Sequence, residues 1–247
     1  MASAPQGGAA ARHAASIASR TFPQYRDASI SSVAVQERAQ DPLAQAHDDD
    51  VGQFDRWSTR YETSRWQGLH FDRVHGRAFA LASRFGRPDA ILDVGCGTGR
   101  LLRAAHARWP SASLFGVDPS EGMIHAGRRI TPAELHLSGA EAIPLPDSSV
   151  DMAFSTIAFH HWADQERGLR EVARVLRPGG GFVLIDNIGP DWVARNLRDR
   201  PYLTAQERVA LWTDSGLRVL EQRRIILLPF AIPVLLATVA ERPAGGA

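Results

Sequence analysis

Leu92-Asp93-Val94-Gly95-Cys96-Gly97-Thr98-Gly99-Arg100 is the stretch from which the fold of this 247-residue chain is read. Ala90 to Val94 predicts a short buried strand, and Gly99 to Trp109 a helix that Pro110 closes. The glycines between them permit a sharp turn and a close approach of backbone to a ligand, while the helix start offers N–H groups with no helical partner. A dinucleotide site would space its glycines G-x-G-x-x-G and seat a pyrophosphate on the helix N-terminus. Here the third glycine comes one residue early, and Asp93 stands two places before the first. A ligand with no phosphate and a positively charged amino-acid end suits that aspartate better.

Downstream the pattern alternates. Strands are predicted at Ser113–Val117, Leu135–Leu137, Asp151–Ala158 and Phe182–Ile185, then at Leu217–Ile226 and Val234–Val239. Helices are predicted at Ser120–Arg129, at Asp164–Leu176 before Pro178 and the three glycines 179–181, and at Ala205–Ser215. Such alternation implies an α/β domain with a mostly parallel sheet covered on both faces. Upstream, Phe54, Trp57 and Tyr61 fall on one helical face, and Leu69, Val74, Phe79 and Leu81 continue the apolar series toward Phe85, Gly86 and Pro88. Met1 to Ser32 is rich in Ala, Ser and Gly, has no acidic residue before Asp27 and lacks the apolar periodicity of a core. The expected division is a disordered extension over 1–50, ending in Asp48, Asp49 and Asp50, and one domain over 51–247 with an N-terminal helical cap.

Composition closes off several function classes. A net charge of +1 creates no field that would favour a phosphate backbone, so no nucleic-acid partner is expected. The sequence contains no lysine, which excludes Schiff-base chemistry and a phosphate-loop lysine. Cys96 is the single cysteine, so neither an internal disulfide nor a cysteine zinc cluster is possible. The apolar run from Ile225 to Val239 is broken by Pro229 and Pro233, so no membrane span is expected and a cytoplasmic location follows.

The glycine turn and the blocks after it resemble class I S-adenosylmethionine-dependent methyltransferases, of the small-molecule branch that includes ubiquinone and menaquinone biosynthesis. Gly116-Val117-Asp118-Pro119-Ser120 lies where that family ends its second strand with an acidic residue. The segment from Gly139 to Pro146, Gly-Ala-Glu-Ala-Ile-Pro-Leu-Pro, resembles its third block. Ser149 to Ser155 and Arg170 to Gly180 resemble its fourth strand and the helix and turn that follow. The resemblance runs from about Phe54 to Glu241 and implies a Rossmann-like, doubly wound, mostly parallel seven-stranded sheet that binds S-adenosylmethionine.

By that resemblance the cofactor residues are Asp93, Gly95, Cys96, Gly97 and Gly99 in the turn, with Asp118 and Pro119 at the second strand. Met123, Ala140 and Glu141 would lie around the adenine and Thr156 at the end of the fourth strand. Asp118 would accept hydrogen bonds from the ribose hydroxyls; the competing reading is a helix-capping aspartate, although Ser120 could serve as that cap. The family aspartate that binds the adenine amino group is replaced here by Gly139, which leaves Glu141 as a substitute or as a plain surface residue.

Methyl transfer from a sulfonium donor asks the protein chiefly for position, and for a base where the acceptor must lose a proton. His160 and His161 follow the fourth strand at the carboxyl edge of the sheet, where open α/β folds bind ligands, and are the candidate bases. The alternative is that they pack against Trp162 and line the cofactor pocket. A metal site is not expected, since adjacent histidines point apart and no third ligand is evident. Tyr61 and Trp66, on the helical cap, are the candidate acceptor-binding residues, with 187–202 as the opposite wall.

Rival chemistries lack their residues. The tetrad Ser155-Thr156-Ile157-Ala158 is not the Asp/Asn-Pro-Pro-aromatic element of amino-methylating DNA enzymes, and Cys96 is misplaced for a cytosine-carbon nucleophile. Two alternatives to small-molecule methyl transfer stay open: a non-methylating reaction on the same fold, such as a cyclisation, or a cofactor-binding module without turnover.

Overall fold

A computed structural model describes residues 65–187, 211–225 and 235–245, together with the isolated position 52. Seven strands form one sheet in the order β3-β2-β1-β4-β5-β7-β6. They are β1 (Ala90–Val94), β2 (Ser113–Asp118), β3 (Glu134–Leu137), β4 (Val150–Thr156), β5 (Leu176–Asn187), β6 (Arg218–Ile225) and β7 (Leu235–Glu241). Neighbours among β1 to β5 run parallel, whereas β7 is antiparallel to both β5 and β6. Among the described residues four longer helices accompany them: α1 (Arg65–Ala82), α2 (Arg100–Arg108), α3 (Glu121–Arg128) and α4 (Gln165–Val175).

The burial pattern explains why these segments are strands. All five residues of β1 are buried, as expected for a central strand covered on both sides. Alternate residues divide between two cores. Ile91, Met152, Phe154, Val183 and Ile185 meet α1, α2 and α3, where Phe79 packs edge-on against Trp109 and Phe154. Leu92, Val94, Ala153, Phe182 and Leu184 meet α4 and Trp212 on the opposite face. The doubly wound sheet expected from the sequence is therefore present.

Among the described residues element boundaries hold to within a few residues, with one exception; the predicted helix Ala205–Ser215 lies outside them up to residue 210. The fifth strand begins at Leu176 and takes in Pro178 and the three glycines, instead of spanning Phe182–Ile185. Backbone hydrogen bonds provide the reason: Gly179 N donates to Arg242 O at 2.7 Å, and Arg242 N donates to Gly180 O at 2.9 Å. The irregularity is absorbed opposite β4, where Val150 pairs with Leu176 but Met152 pairs with Gly181. Gly181 also leaves room for the Phe85 ring, which a Cβ there would overlap.

At the amino edge of the sheet, Asp151 Oδ2 accepts from Asp89 N and Ala90 N while Oδ1 pairs with Arg177, which anchors β1 to β4. Among the described residues no helix is long and apolar enough to cross a membrane. The expected extension over 1–50 and the aromatic face of Phe54, Trp57 and Tyr61 lie outside the described residues.

Candidate active site

The turn between β1 and α2 is tied to the end of β2. Gly95 N and Cys96 N both donate to Val117 O, at 2.9 and 3.0 Å. Gly97 N donates to Asp118 Oδ2 at 2.8 Å, and Ser120 N to Asp118 Oδ1 at 2.9 Å. On its far side the turn is fixed through Thr98 O, which accepts from Thr131 Oγ1 and Arg103 Nη1. Gly95 and Gly97 have φ of +76° and +52°, the left-handed region that disfavours side chains. Their surroundings differ. A Cβ on Gly95 would overlap the Ala158 Cβ, whereas a Cβ on Gly97 would have nothing within 4 Å but Met123 Sδ, at 4.0 Å. Gly97 is thus the open side of the turn, with Met123 beside it.

Asp93 and Asp118 end adjacent strands, and both are buried. Asp93 Oδ1 has no hydrogen-bond partner among the described residues. Burial, reinforced by the Asp118 carboxylate, pushes the Asp93 carboxyl up to about 8. A buried carboxyl with an unsatisfied oxygen beside an open glycine turn is what a cationic ligand group would complete. The residues present fit the amino-acid end of S-adenosylmethionine.

Other expected residues take more modest positions. The Cys96 side chain turns into the core between Leu102 and Leu135, so this residue offers the turn its backbone and no thiol. Burial and the Asp118 and Asp93 carboxylates hold that thiol well above its usual range. Ser120 is the N-cap of α3 through Oγ, accepting from Met123 N, so Asp118 is not needed for that task. Pro119 is exposed and Thr156 is buried at the end of β4. Ala140 is buried against α4, whereas Glu141 Oε1 accepts from Asp164 N at 3.0 Å. Glu141 is therefore a tether between two loops through one of its carboxylate oxygens. Tyr61 lies outside the described residues; Trp66 belongs to α1, but its side chain is not described.

The histidine pair sits on a short 3-10 turn, Phe159–His161, beyond β4. The two rings are 3.9 Å apart between centroids, so the expectation that they point apart is not met. His160 is held by Asp186 at the end of β5, with Nδ1 2.7 Å from Oδ1 and its backbone N 2.8 Å from Oδ2. Among the described residues no cluster of three or more groups suited to a metal is present. Asp186 was missed by the sequence reading. Its signal was an acidic residue closing the run Phe182-Val183-Leu184-Ile185 at the carboxyl edge of a parallel sheet.

With this geometry in view, comparison with known proteins is informative. A methyltransferase domain family matches residues 92–184. A demethylmenaquinone methyltransferase of Symbiobacterium thermophilum is 35% identical over 146 residues, which cover 56% of this chain and 55% of that protein. The chain spans about half the length of the curated relatives it matches. Among solved structures, the methyltransferase crystallised with the Trm112 methyltransferase activator of Haloferax volcanii superimposes with a TM-score of 0.63 at 27% identity, over 77% of this chain and 97% of that one. The cyclase SpnF has the same fold, with a TM-score of 0.62 at 18% identity over 74% and 84% of the two chains. The glycine turn, the strand order and these matches identify residues 92–184 as a methyltransferase domain of the class I, S-adenosylmethionine-dependent kind.

Proposed function

We propose that this chain transfers a methyl group from S-adenosylmethionine to a small-molecule acceptor in the cytoplasm. The observation that carries the reading is the unsatisfied, buried Asp93 carboxyl next to the open turn at Gly97, with Asp118 on the neighbouring strand. In this reading Asp93 receives the amino group of the cofactor, and Gly95, Cys96, Gly97 and Gly99 approach it through backbone. Asp118, already the acceptor for Gly97 N, takes the ribose hydroxyls as well, since a carboxylate oxygen accepts more than one hydrogen bond. Pro119, Met123, Ala140 and Thr156 border the remainder of the cofactor, and Tyr61 and Trp66 cover the acceptor.

The bound cofactor supplies an electrophilic methyl group on a positively charged sulfur. The chain's part is to hold the acceptor in line and, where necessary, to remove its proton. His160 and His161 stand at the carboxyl ends of β4 and β5 for that purpose. The relatives named as methyltransferases support this chemistry, while the cyclase of the same fold keeps a non-methylating reaction as the second reading. Incubating the protein with methyl-labelled S-adenosylmethionine and a small-molecule extract tests the proposal. A labelled small product is expected. Tight binding with the label wholly retained in the cofactor would overturn methyl transfer and favour a binding module or a cyclase-like activity.

A further inference from the structure

Asp186 is 1% exposed, yet its carboxylate accepts three hydrogen bonds within the turn and strand around it. Oδ1 takes Asn187 N at 2.7 Å and faces His160 Nδ1 at 2.7 Å, while Oδ2 takes His160 N at 2.8 Å. One buried group thus fixes both the backbone and the ring of His160. A carboxylate only accepts, so the ring nitrogen facing it is the one that bears hydrogen. In the neutral ring that places the basic lone pair on Nε2.

The backbone is bent to reach this arrangement. Ile157, between β4 and the histidine turn, has a φ of +53°, an unfavourable conformation for a β-branched residue. It is held by Ile157 N donating to Ile185 O at 2.8 Å, on the strand that carries Asp186. Strain of this kind persists where the surroundings over-determine it, and it clusters at functional sites. The His161 ring lies against that of His160, with centroids 3.9 Å apart and planes tilted by 42°, and Gln165 Nε2 secures the turn by donating to Phe159 O. His160 remains 17% exposed at the side chain.

We propose that Asp186 is a positioning residue that locks His160 in the Nδ1–H tautomer, so that His160 Nε2 takes the proton of an aromatic hydroxyl acceptor as that oxygen is methylated. The inference rests on the methyl-transfer reading above. The acceptor's O–H bond breaks as its proton passes to Nε2. The freed electron pair forms the bond to the methyl carbon, and the carbon–sulfur pair stays on sulfur, which departs as a neutral thioether. Acceptor acidity selects the class. A thiol ionises near neutral pH without help, and a neutral amine attacks first and loses its proton afterwards. An imidazole and a phenol differ by only about 3–4 pK units, a gap that general-base catalysis bridges. An aliphatic alcohol lies several units further away.

The test combines nitrogen-15 spectroscopy of the histidine rings with kinetics. In the wild-type protein with S-adenosylmethionine, His160 should carry hydrogen on Nδ1, and Asp186→Asn should shift it toward the Nε2–H form. With catechol and 1-naphthol as acceptors, His160→Gln should lower kcat by roughly 10²–10⁴-fold and remove the acidic limb of the pH profile, with cofactor affinity unchanged. Asp186→Asn should lower kcat with little change in KM, and His161→Gln should retain the pH limb. An Nε2–H tautomer in the wild type would overturn the assignment, as would a His160→Gln variant with wild-type kcat. Methylation of aniline but of neither phenol would overturn the acceptor class. Failure of the wild-type protein to bind S-adenosylmethionine would instead refute the methyl-transfer reading, and the ring tautomer would still be read independently.

Discussion

Alanine at Gly97 and at Gly95 should have opposite effects, because the two glycines face different things. Each has a positive φ, and a non-glycine residue there costs roughly 1–2 kcal/mol. At Gly97 the left-handed penalty is nearly the whole effect, since only Met123 Sδ lies within 4 Å of the new methyl group. At Gly95 the methyl group overlaps Ala158, and overpacking adds about 1–3 kcal/mol, for a total of roughly 2–5 kcal/mol. Binding should show the reverse ranking. A methyl group on the open side of the turn displaces the cofactor from backbone hydrogen bonds worth about 1–3 kcal/mol, a loss of roughly 5- to 150-fold in affinity. Urea unfolding gives the stabilities of the two variants, and calorimetry with S-adenosylmethionine at a temperature where both are folded gives the affinities. A folded Gly97→Ala protein that binds as tightly as wild type would refute the placement of the cofactor. Equal destabilisation by the two substitutions would refute the claim that Gly97 is the open side.

Two further outcomes follow from buried charge. Because the native Asp93 carboxyl binds its proton more tightly than in an unfolded chain, its contribution to ligand-free stability should be fully present below about pH 4, fall until about pH 8 and then level off. Asp93→Asn should flatten that slope in thermal melts across the range, and an unchanged slope would show that another group is responsible. Arg174 joins Glu171 and Asp147 and donates to Leu145 O and Ile143 O, so Arg174→Met should destabilise the protein by about 1–2 kcal/mol, its side chain being a third exposed. A change below a few tenths of a kcal/mol in chemical denaturation would mean that water replaces the guanidinium without loss.

The sheet was legible because its signals are local. A strand buried on both faces reads as a nearly continuous apolar run, as in Ala90–Val94 with only Asp93 interrupting it, and the alternation of runs with amphipathic helices leaves few topologies. The glycine turn was legible because its spacing is a backbone requirement. What escaped depended on partners distant in sequence. Pro178 and the glycines 179–181 read as a turn because their hydrogen-bond partner, Arg242, lies roughly sixty residues away in the chain, just beyond the end of β7. The tether from Glu141 to Asp164 N escaped because nothing in the neighbourhood of Glu141 announced that partner. The pairing of His160 with Asp186 was hidden for the same reason: His160 lies on the turn after β4 and Asp186 near the end of β5, and only the parallel pairing of those strands brings them together.

The place of β7 has a consequence for biogenesis. It is last among the strands in chain order, yet it sits between β5 and β6 and supplies hydrogen bonds to both. As the chain emerges from the ribosome, β1 to β5 can assemble as a nascent parallel sheet, but the apolar edge of β5, from Phe182 to Ile185, has no neighbour until residues 235–241 are translated. During that interval a buried-type strand edge is available to other nascent chains, the situation in which off-pathway association competes with folding and chaperones are recruited. Closure of the sheet by an inserted strand also joins residues far apart in sequence, and such non-local pairing slows the final step.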